Sequence, residues 1–393
     1  MRRLGIAASI AAITVSILLE PAVLRAAPAG DVQVVVDGID NPRNLTFDTN
    51  GDLYIPAAGH GGTDACALLK EGFFCAGLNG AVLKVSAAAL AHVPADPTPV
   101  ADGLVSLAFP GGTVGHGVHG VAARNGEVYA VFIGPEFLGT EGQGGCCRDD
   151  VQGELRTAAL EQLGNLVRVG SDGSLTKVAD ISKYEFTYNP VNDIHTNPYA
   201  VALDGDGSFV VADAAGNTIL RARPDGSVSL VAALDNLRTL TGAGDTVPTL
   251  PAWETAPGRT EAVPTGIAVG PDGNYYVSLL GGFMHPTFAR ILKISPTGAV
   301  RTVADGLTGL TSVAVAADGT VYATELPTGD LVRVRPDPNK PGSFLAPEIL
   351  YRGQLVAPSG VAIAPDGRIY ISDAGVLPGT LPGLHGRILR IAP

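Results

Sequence analysis

Oxygen-bearing side chains recur along this 393-residue chain in contexts that suit cation binding. The stretch DGDGSF, from Asp204, alternates aspartate with glycine, a pattern typical of calcium loops. Asn44, Asn197 and Asp213, with Glu325 as a substitute for Asp213, are further candidate ligands for calcium or magnesium, because both cations prefer oxygen. These residues are far apart in sequence, so the fold must bring them together.

A repeated phrase identifies the elements that would do so. Each copy has a short apolar run, a polar turn with glycine and an alternating strand, followed by a third strand and usually a fourth. The six copies begin at Asn44, Gly120, Ala200, Gly266, Ser312 and Gly360. Alternation at period two predicts antiparallel strands. Six four-stranded units predict an all-β fold, a six-bladed β-propeller.

The last copy ends after its third strand, near Ile391. The segment VQVVVDGI, Val32–Ile39, precedes the first copy and resembles the fourth strand of other units. We expect this N-terminal strand to pair in the last blade, which closes the ring and removes two exposed sheet edges.

The same alignment explains DGDGSF. Its Asp-Gly pair falls in the link between the first and second strands, where every other copy also has Asp or Asn before Gly. Such pairs supply the positive φ of a tight hairpin. The pattern therefore favours a turn over a calcium site.

Loop length predicts where a ligand would bind. In a propeller, the loops that lead into first strands share one face with those that join second to third strands. These are the loops that lengthen here, over 57–80, 134–164, 181–198 and 235–264. Long loops on a rigid scaffold favour a binding site on this loop-rich face. The predicted lining residues are Arg43, Asn44, His119, Asn197, Tyr199, Asp213, Asn217, Glu325 and Asp373.

Two alternatives to this interpretation stay open. Asp213 can equally cap the tight turn that Gly216 and Asn217 permit. His119, with His116 and His195, would suit zinc, but the leading positions of later units lack histidine, which favours a hydrogen-bonded role for His119. No GxSxG nucleophile motif occurs.

The N-terminus predicts export. Arg2 and Arg3 precede an apolar run and an Ala27-Pro28-Ala29 triplet, which together are typical of a signal peptide over residues 1–29. An uncleaved anchor is the alternative. We expect a single mature domain, 30–393, in the periplasm or secreted, with no membrane span after cleavage.

Cysteine content agrees with an oxidising compartment. A bridge from Cys66 to Cys75 is favoured, and the adjacent Cys146 and Cys147 either bond to each other or to the first pair. The formal net charge of −12 argues against nucleic acid as a partner. A small molecule, glycan or peptide on the loop-rich face of a monomer is expected instead.

Several stretches resemble the ScyD/ScyE family of exported NHL-like propellers. They are GIDNPRNLTFDTNGDLYIPAAGHGG from Gly38, the Cys66 and Cys75 pair, GNLVRV from Gly164, YEFTYNP from Tyr184, and TNPYAVALDGDGSFVVADAAGNTIL from Thr196. The resemblance spans nearly the whole mature chain and implies an exported β-propeller, but no catalytic residues.

The long loops and the candidate ligand residues leave two functions as expectations. The protein is either a binding protein, or a divalent-metal-dependent hydrolase of lactonase type or lyase with its site at the channel mouth.

Overall fold

A computed structural model describes residues 32–69, 72–139, 145–192, 194–234, 261–284, 286–375 and 385–391. The predicted signal peptide lies outside these residues, as does most of the predicted leading loop 235–264. None of the helices within the described ranges has the length and apolar character needed to cross a bilayer.

The described strands form six antiparallel sheets. The first contains β2 (Thr46–Phe47), β3 (Leu53–Ala57), β4 (Ala65–Leu69), β5 (Gly72–Val85), β6 (Thr98–Phe109) and β7 (Thr113–His116). The second contains β8 (Val118–Arg124), β9 (Glu127–Phe132), β10 (Asn165–Val169) and β11 (Leu175–Asp180). The third contains β12 (Pro198–Leu203), β13 (Phe209–Asp213), β14 (Thr218–Ala222) and β15 (Val228–Ala233).

The remaining three sheets repeat this four-stranded plan. The fourth contains β16 (Pro264–Val269), β17 (Tyr275–Leu279), β18 (Ala289–Ile294) and β19 (Val300–Leu307). The fifth contains β20 (Leu310–Val315), β21 (Val321–Glu325), β22 (Asp330–Val334) and β23 (Glu348–Tyr351). The sixth contains β24 (Gly360–Ile363), β25 (Ile369–Asp373), β26 (Gly386–Ile391) and β1 (Val32–Ile39).

The N-terminal strand β1 lies antiparallel to β26, which places the beginning and end of the described chain in one sheet. Val32 is opposite Ile391 and Ile39 is opposite Gly386, with irregular register between them. Val36 of this strand is buried in a cluster that also contains residues of the first sheet.

Short turns join the first and second strands of each sheet, as the repeats predict. Each turn contains a glycine with φ between 72° and 84°: Gly51, Gly126, Gly207, Gly273, Gly319 and Gly367. In the DGDGSF stretch, the Asp206 carboxylate accepts hydrogen bonds from the Ser208 backbone and hydroxyl. The Asp204 carboxylate instead contacts Arg221 and Tyr275. The turn interpretation of this stretch is therefore confirmed.

Three predicted long loops contain regular structure. The loop 57–80 forms a hairpin of β4 and β5, and the Cys66–Cys75 disulfide joins its two strands. The first sheet therefore exceeds the four strands expected. The loop 134–164 contains a 3-10 helix, Pro135–Leu138, and α1, Gly153–Gln162, and the loop 181–198 contains α2, Ile181–Tyr188. Cys146 is bonded to Cys147.

The hydrophobic core is divided into clusters that lie between neighbouring sheets. Alternating side chains of each strand face the sheets on either side, so that both faces of a sheet are buried. One cluster, for example, combines Val210 and Ile219 of the third sheet with Val277 and Leu292 of the fourth. Similar clusters join the first sheet to the second and to the sixth. Burial of these side chains contributes about 1.5–3 kcal/mol each.

Candidate functional site

Asp213, a predicted ligand residue, is fully buried at the end of β13. One carboxylate oxygen accepts hydrogen bonds from the Asn197 backbone at 2.6 Å and the Gly216 backbone at 3.0 Å. The other accepts from the Thr196 hydroxyl. Burial raises the pKa of Asp213 above its usual range, while these hydrogen bonds oppose the shift. The carboxylate therefore anchors the loop that leads into β12.

Glu325 and Asp373 repeat this arrangement at the ends of β21 and β25. Glu325 accepts from the Thr308 backbone, and Asp373 from the Val356 backbone, both at 2.7 Å. Asp373 also pairs with Arg387. Burial raises the pKa of both carboxyl groups. Each carboxylate anchors the leading loop of its own sheet, and the structure does not direct it to a shared site.

The Asn217 side chain also forms hydrogen bonds with backbone groups. It adopts φ 49°, as the turn interpretation predicts, and its side-chain oxygen accepts a hydrogen bond from the Val263 backbone at 2.8 Å. Its side-chain nitrogen donates to the Ala215 carbonyl. Only 4% of this residue is exposed. The described contacts of Asn217 are thus those of a turn that holds the next leading loop.

Four other predicted residues do come together. The Asn44 backbone donates to the His119 carbonyl at 3.1 Å, and the Asn44 side chain donates to the carbonyls of Tyr199, at 3.4 Å, and Thr265, at 3.0 Å. The His119 ring lies 4.6 Å from the Tyr199 ring, and Asn197 adjoins His119. Asn44 therefore connects the first sheet to the second, third and fourth.

Arg43 is buried beside this cluster, with 2% of its surface exposed. Its guanidinium donates to the carbonyls of Gly375 and Gly115. Burial lowers the pKa of Arg43 from its ordinary value. Because backbone carbonyls of separate segments share this side chain, Arg43 ties the loop after β25 to the first sheet.

His119 is fully buried and His116 is partly buried, and lowered pKa values keep both rings neutral near pH 7. His116 Nδ1 lies 3.2 Å from His119 Nε2, and aromatic rings of Phe74, Phe137 and Tyr199 surround the pair. Burial, assisted by the nearby Arg43 charge, lowers the pKa of His116 to about 3. Burial likewise lowers the pKa of His119, and the neighbouring His116 and Arg43 add to this shift.

A calcium or magnesium ion does not fit these side chains. Asn44 and Asn197 supply amide oxygens without a hydrogen-bond partner in the described structure, but both Asp213 oxygens are engaged by the leading loop. Across the described residues, no three His, Cys, Asp or Glu side chains are placed to hold a metal, and His195 is exposed. Ligation by two neutral amides leaves the charge of a hard cation uncompensated.

Glu136, which the sequence also places among the loop residues at the channel mouth, is a further carboxylate and is partly buried. It lies in the 3-10 helix after β9, and Oε1 accepts a hydrogen bond from the Thr196 backbone at 2.7 Å. Oε2 is buried without a partner among the described residues. Burial raises the pKa of Glu136 to about 7. This side chain fixes the second sheet's loop to the loop that leads into the third sheet.

A central cavity of 350 Å³ lies along the first strands of all six sheets. Its lining is mostly alanine and branched aliphatic residues, with a few polar groups. The lining residues are Asn44, Leu45, Thr46, Phe47, Val121, Ala122, Ala123, Arg124, Ala200, Val201, Ala202, Leu203, Ile267, Ala268, Val269, Ser312, Val313, Ala314, Val315, Val361, Ala362 and Ile363.

The two ends of the central cavity differ. At the end nearest the leading loops, Asn44 and Ser312 are buried, and Asn44 closes this end by its hydrogen bonds to Tyr199 and Thr265. At the end nearest the short turns, lining residues such as Thr46 and Arg124 are partly exposed. The cavity thus meets solvent on the face opposite the one that loop length predicts.

Thr46 and Arg124 were absent from the predicted site residues, although aligned repeats contain a signal for them. The third position of the phrase is Thr46 in the first copy and alanine in the other five. Two positions later, the second copy alone carries arginine, Arg124. The polar departure from alanine therefore marks Thr46, whereas Arg124 stands out only by its charge, because the first and third copies carry Asp48 and Asp204 at its position.

No protein-family model matches this chain, and no curated protein matches it. Solved structures with a similar fold were found. An oxidoreductase described as a glucose dehydrogenase, from Thermus thermophilus, has 16% identity and a TM-score of 0.54, covering 92% of this chain and 99% of its own. A PQQ-bound aldose sugar dehydrogenase from Streptomyces coelicolor has 16% identity and a TM-score of 0.51, covering 93% and 99%.

A gluconolactonase from Xanthomonas campestris has 12% identity and a TM-score of 0.52, covering 92% of this chain and 89% of its own. Identities this low relate folds and not activities. These neighbours are β-propeller enzymes, and the chain has a β-propeller fold.

Proposed function

We propose that this protein is an exported six-bladed β-propeller of ScyD/ScyE type that binds a small molecule in its central cavity. The signal-like segment 1–29 and the family resemblance support export. The cavity supports binding, because its volume and its mostly apolar lining with a few polar groups are typical of small-molecule sites.

Contacts among the first strands support six blades and ring closure. Strand β12 contacts β8 and β16, strand β20 contacts β16 and β24, and β2 contacts both β8 and β24. Each first strand therefore has two neighbours of its own kind. The pairing of β1 with β26 supplies the fourth strand of the sixth sheet. Closure of this kind covers the edge of β26 that would otherwise stay unpaired.

The observation that carries the binding function is the asymmetric closure of the cavity. Asn44 seals one end with hydrogen bonds to the third and fourth sheets, while partly exposed residues line the other. A blind, mostly apolar cavity excludes water from a bound apolar group, which favours its transfer from solvent.

Metal-dependent hydrolysis or lyase chemistry is the second candidate, and the side-chain contacts disfavour it. Asp213 and Glu325, the carboxylates expected to hold a metal, each accept a backbone hydrogen bond from a leading loop. A glycan or peptide on the loop-rich face would leave the cavity empty, so blocking the cavity distinguishes that case from the proposal.

A blocked variant tests the proposed function. Thr46 lines the partly exposed end and its hydroxyl bonds only the Phe47 carbonyl among the described contacts, so Thr46→Trp fills the cavity entrance at little cost to the core. Thr176→Trp, on an exposed position of β11, is the matched control.

Binding is measured by calorimetry against sugars, sugar lactones, medium-chain alcohols and medium-chain carboxylates. Sugars and lactones are included because the fold neighbours are named for activities on them. We expect at least one of these ligands to bind both the wild type and the Thr176→Trp variant. The Thr46→Trp substitution should abolish that binding. Binding that survives Thr46→Trp would refute the cavity as the site.

A further inference from the structure

We infer that the ligand of the central cavity is a slender monocarboxylate, whose carboxylate contacts Arg124 and whose apolar tail extends toward Asn44. This inference rests on the proposed function. It starts from Arg124, the cationic residue of the cavity lining, at the partly exposed end.

The Arg124 guanidinium makes one hydrogen bond among the described contacts. It donates to the Asp204 backbone carbonyl at 3.1 Å, and within the described part of the chain it forms no ion pair. Two acidic residues near Arg124 are engaged elsewhere. Asp204 pairs with Arg221, and Glu127 pairs with Arg168 at 3.2 Å. A guanidinium without a carboxylate partner at a cavity mouth favours an anionic ligand.

The lining beyond Arg124 suits an apolar tail. The lining positions inward of Arg124 are alanines or branched aliphatic side chains, except for Phe47, Thr46, Asn44 and Ser312. Gly120 lies opposite Asn44, and Arg124 is four residues further along β8. At about 3.3 Å per residue, the cavity extends roughly 13 Å from the cation to the closed end. A tail of medium length fits this depth.

One negative group is favoured over several. Arg124 is the charged residue among the lining side chains, so a second carboxylate or phosphate would be buried without a partner. A sugar would face mostly alkyl groups and leave several hydroxyls without hydrogen bonds. The lining thus selects a monocarboxylate over a dicarboxylate or a sugar.

Calorimetry with three probes tests the inference on the full chain. Octanoate carries both features, 1-octanol lacks the charge and acetate lacks the tail. We expect octanoate to bind about tenfold more tightly than 1-octanol, as a charge-assisted contact predicts, and acetate to bind at least tenfold more weakly. Arg124→Gln should remove the advantage of octanoate over 1-octanol, and Arg124→Lys should retain most of it. Arg168→Gln, on the same sheet, is the control and should change neither affinity.

Equal affinities of octanoate and 1-octanol, or an octanoate affinity that Arg124→Gln leaves unchanged, would overturn the monocarboxylate assignment. If another probe binds and Thr46→Trp abolishes that binding, the proposed function stands and only the ligand class fails. If Thr46→Trp leaves binding of every probe intact, the proposed function itself fails.

Discussion

Substitution of Glu136 tests whether burial of this carboxyl group makes the stability of the fold depend on pH. Burial raises its pKa from 4.5 to about 7, so the folded protein holds this proton more tightly than the unfolded chain does. The stabilisation is fully present below pH 4.5 and is lost as pH rises through 7. Since one pKa unit corresponds to about 1.4 kcal/mol, the loss reaches about 3 kcal/mol by pH 8.

The Glu136→Gln variant removes this titration and keeps an oxygen that can accept from the Thr196 backbone. Urea unfolding of both proteins from pH 4.5 to 8 gives the free energy of unfolding for each. We expect the variant to gain about 3 kcal/mol relative to the wild type over this interval. His116 and His119 titrate oppositely, losing stability as pH falls below 6.5, but they do so in both proteins and cancel.

Glu127→Gln is the control, because Glu127 is exposed and pairs only with Arg168 among its described ion pairs. Its difference from the wild type should stay small at every pH. A Glu136→Gln difference that is constant from pH 4.5 to 8 would refute the assignment of Glu136 as a buried structural carboxyl.

Three further predictions concern stability. Asn44→Ala should lower the free energy of unfolding by about 1–3 kcal/mol, because the buried Thr265 carbonyl and the partly buried Tyr199 carbonyl lose their donor; an unchanged denaturation midpoint would contradict this. Replacing Cys66 and Cys75 together by serine opens a loop of sequence separation 9 and should cost about 2–3 kcal/mol in calorimetry; equal melting of both proteins would argue against the bridge. Val36→Ala should cost about 2 kcal/mol in urea unfolding, since Val36 of β1 is 1% exposed; a cost below 0.5 kcal/mol, roughly that of a surface change, would place β1 outside the core.

The repeated phrase was sufficient to predict the strands and their short turns. Its glycines occupy positive φ in all six links, and third and fourth strands follow where the alternation places them. Local chemistry determines these features, because Asx-Gly turns and period-two alternation act over a few residues. The hairpin of Ala65–Leu69 and Gly72–Val85 escaped prediction, since no turn signal of that kind separates its strands.

The site residues were harder to predict, because a carboxylate near a channel has the same sequence appearance whether it binds a ligand or a loop. Asp213, Glu325 and Asp373 end equivalent strands and accept from backbone groups 16 or 17 residues earlier. Whether such a carboxylate binds a ligand or a loop depends on the path of the leading loop, and that path depends on tertiary contacts. Loop length likewise indicated the loop-rich face, whereas Asn44 closes the cavity from that side.

The position of a bound ligand in a crystal shows whether the central cavity is the binding site. Crystals of the protein grown with 8-bromooctanoate would give an anomalous bromine peak that marks the end of the tail. We predict a peak inside the central cavity, between Ala268 and Asn44, with carboxylate density at Arg124. A bromine peak on the loop-rich face, with the cavity free of ligand density, would contradict the proposal.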